Sequence, residues 1–139
     1  TGLFNVSQIF LKLLKNNNSS IINFASTYGI VSPRFDIYGK NDVKSPLAYA
    51  ASKSAIIGMT KYLAVYLAKY DIRVNCISPG GIINKNHKKN FIKKYSQNTP
   101  LERLMNPDEL FSAIDYLSSE KSTYTTGSNV VVDGGWTIW

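Results

Sequence analysis

Tyr49 and Lys53 stand four residues apart in Tyr49-Ala50-Ala51-Ser52-Lys53-Ser54-Ala55. On a helix such a pair shares one face. A free phenol ionises near pH ~10, too high for efficient proton exchange at neutrality, and a neighbouring ammonium favours the phenolate. The spacing therefore suits a tyrosine that gives and takes a proton, but a bare YxxxK also arises by coincidence, so its surroundings decide. Ser26 follows the apolar run Ile21-Ile22-Asn23-Phe24-Ala25, and Ser78-Pro79-Gly80-Gly81 follows Ile72-Arg73-Val74-Asn75-Cys76-Ile77. If both runs are parallel strands, Ser26 and Pro79-Gly80 emerge at the same edge of the sheet, where open α/β sheets bind ligands. Glycine there lets a ligand approach the backbone.

The elements that must position these residues follow from periodicity and punctuation. Phe4 to Lys15 carries apolar residues at Phe4, Val6, Ile9, Phe10, Leu13 and Leu14, which predicts a helix. Asn16-Asn17-Asn18-Ser19-Ser20 ends it. Ile21 to Ala25 predicts a strand buried on both faces. Residues 26–46, with Gly29, Pro33, Gly39 and Pro46, predict a long loop, a feature that is often functional. Ser45 as N-cap and Pro46 in the first turn predict a helix running to Lys69, rich in small residues that let another backbone approach. A second strand covers Ile72 to Ile77. Residues 84–105 are a polar, basic excursion, in part helical. Asn106-Pro107-Asp108-Glu109 opens a helix that ends near Ser119, and Asn129 to Asp133 is a third strand before Gly134-Gly135. Alternating helices and strands imply parallel strands joined by helical crossovers, an α/β, Rossmann-like doubly wound sheet.

Composition bounds the function. A chain of 139 residues suits one domain, and 44% hydrophobic residues mark a globular chain, not a disordered one. No stretch approaches the roughly 20 apolar residues of a membrane span. Thr1-Gly2-Leu3-Phe4 has no basic n-region, so a cytoplasmic location is expected, and the lack of an initiator Met points to a longer parent chain. Cys76 is single and reads as a small buried thiol. His87, among Lys85, Lys88 and Lys89, reads as a solvated loop residue; one histidine offers no ligand set, so no metal is expected. The net charge is +7, and Ile72 to Leu101 holds no acid but contains Arg73, Lys85, Lys88, Lys89, Lys93 and Lys94. This reads as a solvated face that could also attract an acidic small substrate. No aromatic platform accompanies the lysines, so nucleic acid is not the expected partner.

Four segments carry a more specific signal: Ile22-Asn23-Phe24-Ala25-Ser26-Thr27-Tyr28-Gly29, the segment from Tyr49 to Ala55, Ile72 to Gly80, and Thr126-Gly127 through Val132-Asp133-Gly134-Gly135. In this order, and over essentially the whole chain, they resemble the signatures of the short-chain dehydrogenases/reductases. The resemblance implies an oxidoreductase that uses NAD or NADP on a small-molecule substrate, with residues 1–139 forming the C-terminal half of a single Rossmann-like domain. It implies that Ser26, with Thr27 and Tyr28 beside it, meets the substrate, Ser26 hydrogen-bonding the reacting oxygen. Tyr49 would exchange the proton, and Lys53 would bind the nicotinamide ribose and tune Tyr49. Pro79, Gly80 and Ile82 would flank the nicotinamide. Asn84 stands where the family commonly has a threonine that touches the carboxamide or phosphate. The resemblance also implies a homo-oligomer, dimer or tetramer, built on the helices at 4–15 and 46–69.

Two departures from the family pattern matter. The glycine-rich TGxxxGxG loop, which cradles the pyrophosphate at a helix N-terminus, is absent, and so is the family's further catalytic asparagine. These residues alone are thus expected to bind dinucleotide poorly and to leave an apolar sheet edge bare. Secondly, 23 positions separate Ser26 from Tyr49, more than is usual in the family. The extra length, Ile30 to Ser45, includes Pro33-Arg34-Phe35-Asp36-Ile37-Tyr38 and would lie over the substrate side. Together with Ser45-Pro46-Leu47-Ala48-Tyr49 it resembles oxidoreductases of bacterial surface-polysaccharide and flagellin-glycan biosynthesis. That implies an amino-sugar or nucleotide-linked sugar substrate, with the Lys85 to Lys94 run attracting phosphate. A 3-oxoacyl chain reductase shares the same core motifs, and an inert structural module is the remaining alternative.

Overall fold

The structure is a computed structural model that describes residues 2–14, 17–40 and 42–138. Helix α1 (Gly2–Leu14) leads to strand β1 (Ser19–Phe24), the long helix α2 (Leu47–Leu67), strand β2 (Ile72–Pro79), helix α3 (Lys89–Gln97), helix α4 (Phe111–Ser118) and strand β3 (Asn129–Val132). The strands pair in the order β1-β2-β3, all parallel, with Ser19 opposite Ile72 and Cys76 opposite Asn129. The expected Rossmann-like arrangement of parallel strands and crossover helices is therefore present.

Side-chain alternation along β2 shows why this strand is buried without a break, even at Arg73 and Asn75. Ile72 and Val74 pack with Leu63, Ala64 and Leu67 of α2 and, less deeply, with Leu3, Leu11 and Leu14 of α1. Ile77 points the other way, into a cluster with Met105, Leu110 and Leu117 around α4. Alternate residues serve opposite faces, so Ile72 to Ser78 are all buried. Arg73 lies on the α4 side, 7% exposed, and its guanidinium donates to the Leu117 and Ser119 carbonyls and to Ser122 Oγ. It thus caps the C-terminal end of α4, where a cation meets the helix dipole favourably. Cys76 is buried as expected, and burial raises its thiol pKa.

Several expected boundaries shift. The first helix begins at Gly2, and its expected end at Lys15, like Asn16, lies outside the described residues. Its apolar residues also divide: Leu3, Leu11 and Leu14 face the core, whereas Val6, Ile9 and Leu13 are exposed. Ser45 is not the N-cap of α2. Pro46 takes that position in an extended conformation, and its carbonyl accepts the Tyr49 N–H at 3.0 Å. The helix ends at Leu67, and a 3-10 turn over Ala68–Tyr70 completes it. The long loop proves largely built: 3-10 turns span Thr27–Gly29 and Phe35–Ile37, and Ile37 is fully buried with Tyr95, Leu104 and Trp136. This third cluster has no place in a plain crossover; it fastens the loop to α3.

Candidate active site

Three contacts set β1 and the loop after it against α2. Asn23 Nδ2 donates to Thr60 Oγ1 at 2.9 Å in the interior, tying strand to helix. The Lys53 ammonium donates to the Phe24 carbonyl at 2.8 Å. Gly29 lies against the α2 backbone, its carbonyl accepting from Ser54 Oγ at 3.1 Å. Ser26 is thereby held in extended backbone at the end of β1, 7% exposed, its Oγ accepting the Tyr28 N–H at 3.2 Å. That bond uses the oxygen as acceptor and leaves the hydroxyl proton free to donate. Tyr49 is 40% exposed, and Lys53 Nζ lies 5.6 Å from its ring centroid.

The opposite wall is set by the segment after β2. Gly81 N–H donates to the Tyr95 hydroxyl at 2.5 Å, and Tyr95 stacks on Trp136 with ring centroids 4.2 Å apart. Burial pushes the Tyr95 hydroxyl up to about 12, so it stays a neutral phenol. Ile83 N–H and the Gly81 carbonyl bond to the backbone of Met105. A Cβ on Gly80 would come within 2.9 Å of Asp133 Cα, and one on Gly81 within 2.6 Å of the Tyr95 ring. Packing behind the cleft therefore requires both glycines.

Between these walls lies a cleft of about 300 Å³ whose lining includes Ser26, Thr27, Tyr28, Tyr49, Gly80 and Ile82. Six residues singled out from the sequence thus share one surface. Lys53, Pro79 and Asn84 do not line it. Lys53 stands behind Tyr49, and Asn84 is turned into its own loop: its Oδ1 accepts the Asn86 N–H at 2.9 Å, and its Nδ2 faces His87 Nε2 at 3.0 Å.

Known proteins resemble the chain over nearly its whole length. A family model described as enoyl-(acyl carrier protein) reductase matches residues 1–137. The chain is 38% identical over 148 residues to the D-arabinitol 2-dehydrogenase [ribulose-forming] of Candida albicans (strain WO-1), covering 99% of this chain and 50% of that protein. It is 32% identical to the post-translational flagellin modification protein A of Campylobacter coli, over 97% of this chain and 53% of that one. A crystal structure of a short chain dehydrogenase from Leptospira borgpetersenii serovar Hardjo-bovis (strain JB197), with bound NAD+, superposes with a TM-score of 0.91 at 45% identity, over 99% of this chain and 52% of that chain. This chain belongs to the short-chain dehydrogenase/reductase family. It spans about half the length of the relatives it matches.

The residues present suit the nicotinamide end of a dinucleotide. An ammonium has three protons, and the bond to the Phe24 carbonyl occupies only one of those on Lys53. Two donors remain for vicinal hydroxyls such as those of a ribose. Gly80 and Ile82 supply an apolar, side-chain-poor wall beside Tyr49.

Reasoning from the sequence missed part of the cleft of this short-chain dehydrogenase/reductase. His87, Phe91 and Tyr95 also line it, together with Tyr38 from the inserted loop that was expected over the substrate side. His87 is not a solvated loop residue: it is half-buried, with its ring 4.9 Å from that of Phe91. Because Asn86 N–H fixes the Asn84 amide, Nδ2 presents its protons to His87 Nε2, which places the imidazole proton on Nδ1. The acid-free basic run is also partly engaged. Lys88 pairs with Asp42, holding that carboxyl below the usual range, and Lys94 Nζ donates to the Asp36 carbonyl at 2.7 Å. Both lysines fasten the inserted loop to α3. Neighbouring lysines concealed His87, and only the apolar spacing of Phe91 and Tyr95 on α3 could have signalled the aromatic wall.

Proposed function

We propose that the whole protein is an NAD(P)-dependent oxidoreductase acting on a carbonyl or alcohol of a sugar-derived substrate, either an amino sugar or a nucleotide-linked sugar, in surface-glycan or flagellin modification. The observation that carries the reading is the convergence of Ser26 and Tyr49 on one cleft at the C-terminal edge of the parallel strands, with Lys53 held directly behind. When bound, the nicotinamide supplies or accepts the hydride. In reduction, Tyr49 Oη gives its proton to the substrate oxygen and Ser26 Oγ donates a hydrogen bond to the same oxygen; in oxidation Tyr49 takes the proton back. Lys53 would hold the ribose hydroxyls with its two remaining protons, and Gly80 and Ile82 would bound the ring. Among the described residues no helix is long and apolar enough to cross a membrane. Exposed Val6, Ile9 and Leu13 on α1, and the stacked, exposed Tyr62 and Tyr66 on α2, support a homo-oligomer built on these helices.

A polar substrate is favoured by the cleft's hydroxyls, Ser26, Thr27, Tyr28 and Tyr38, and by relatives described as a sugar-alcohol dehydrogenase and a flagellin modification protein. Reduction of 3-oxoacyl chains is the second reading, favoured by the acyl-carrier-protein description of the family model. In the full-length enzyme Tyr49→Phe should lower kcat by about a hundred- to ten-thousand-fold while NADH or NADPH affinity, followed by fluorescence titration, stays largely intact. Near-normal turnover would remove Tyr49 from proton transfer.

A further inference from the structure

The inserted loop carries Tyr38 to the cleft, where its hydroxyl lies 3.4 Å from that of Tyr28. That separation is long for two hydroxyls, whose bonds cluster near 2.7–2.8 Å. Each phenol also has one proton and acceptor capacity, and among the described residues neither has another hydrogen-bond partner. The pair is thus under-used, yet it is firmly placed. Tyr38 lies against Phe91 with ring centroids 5.7 Å apart, and the neighbouring Ile37 is fully buried. Lys88 pairs with Asp42, and Asp42 accepts the Gly39 N–H at 2.9 Å, fixing the loop just beyond Tyr38. Burial, and then the Tyr38 hydroxyl, raise the Tyr28 pKa, so Tyr28 is a neutral donor at any physiological pH.

Phe91, which packs on Tyr38, and His87, which packs on Phe91, bring ring surface to the same lining. Hydroxyls and aromatic carbon in one lining match a ligand with alternating C–H and O–H groups. An alkyl chain would leave the remaining proton and acceptor capacity of the two phenols unmet. We infer that Tyr38, paired with Tyr28, is a specificity-determining residue that receives a hydroxyl of a polyol or sugar carbon chain remote from the carbon that reacts at Ser26 and Tyr49. The inference rests on the proposed oxidoreductase reading and deepens it by assigning the substrate's recognition to the inserted loop.

The test uses the full-length enzyme with NAD+ or NADP+ and two probe sets: the polyols D-arabinitol, xylitol and sorbitol, and the alkanols 2-pentanol and cyclohexanol. Wild type should prefer at least one polyol over both alkanols. Tyr38→Phe should lower kcat/KM for that polyol about tenfold, chiefly through KM, and leave the alkanols within experimental error. Tyr38→Leu, which also removes the ring, should lower it further, and circular dichroism should show both variants folded. An unchanged polyol-to-alkanol ratio in Tyr38→Phe, or a wild-type preference for alkanols, overturns the assignment while leaving the oxidoreductase reading intact. Turnover of neither set by wild type overturns the assignment, and the oxidoreductase reading falls with it only if a nucleotide-linked sugar is not turned over either.

Discussion

A Cβ on Gly29 would lie 2.8 Å from both the carbonyl carbon and the carbonyl oxygen of Lys53. Helix backbone cannot swing aside as a side-chain tip can, so the added methyl must push the Ser26–Gly29 turn away from α2. That turn sets the position of Ser26 relative to Tyr49, and Lys53 itself is bonded to the Phe24 carbonyl just upstream. Gly29→Ala should therefore cost about 1–3 kcal/mol of stability, the usual range for overpacking. It should also reduce kcat more than it reduces cofactor affinity, because Lys53 and the Gly80 wall lie outside the turn. Urea unfolding together with steady-state kinetics on the full-length protein checks both parts. A variant with wild-type stability and kcat would show that the approach is slack. The sequence shows Gly29 as a loop glycine that closes the segment Ile22 to Gly29, but not the close approach it permits, since the backbone it must admit lies 24 residues further along the chain.

In the 3-10 turn that leads into α4, Pro107–Leu110, the helix start read from Asn106-Pro107-Asp108-Glu109 gains an ion pair with Arg103. Glu109 accepts the Asn106 N–H at 2.7 Å and pairs with Arg103 at 2.6 Å, which together lower its carboxyl from the ordinary 4.5 to about 2. A depressed carboxyl adds stability that is fully present above pH 4.5 and is lost as pH falls through about 2. Glu109→Gln should accordingly flatten the fall in unfolding midpoint across that window, most visibly at low salt because the pair is solvent-exposed. Parallel curves for wild type and variant would show that the pair contributes nothing. The sequence also announced β2, through the mainly apolar run Ile72 to Ile77, and the placing of Tyr49 and Lys53 early in α2. It did not announce the side-chain environment of residues 30–45 or the aromatic wall of α3. Their order depends on Ile37 meeting Tyr95, Leu104 and Trp136, partners 58 to 99 positions away. Local periodicity carries no record of such packing. His87 was misread for the same reason: the lysines around it are solvated while its ring packs on Phe91. One cap was displaced by a residue, because Pro46 keeps an extended conformation and lets Leu47 begin the helix.

For the molecule as a whole, the described sheet ends at β1, which pairs with β2 on one side and with no other described strand. In β1 the Ile21 and Ile22 side chains serve the clusters on opposite faces, so the bare edge belongs to the hydrophobic middle of the fold. On α1, Val6, Ile9 and Leu13 are 55%, 71% and 70% exposed. An open parallel edge beside an apolar helix face invites pairing with another chain. The relatives are about twice as long, and the glycine-rich loop that would hold a pyrophosphate is not among these 139 residues. Residues 1–139 produced alone should therefore self-associate, sedimenting above the monomer mass of 15.5 kDa. In calorimetry they should show no micromolar affinity for NADH or NADPH, because Lys53, Gly80 and Ile82 reach only the nicotinamide end of the dinucleotide. A monodisperse monomer would mean that α1 and the β1 edge are covered from within the chain. Micromolar binding would mean that the cleft around Tyr49 and Lys53 grips the cofactor without a pyrophosphate cradle, and the division of labour argued for the site would fall.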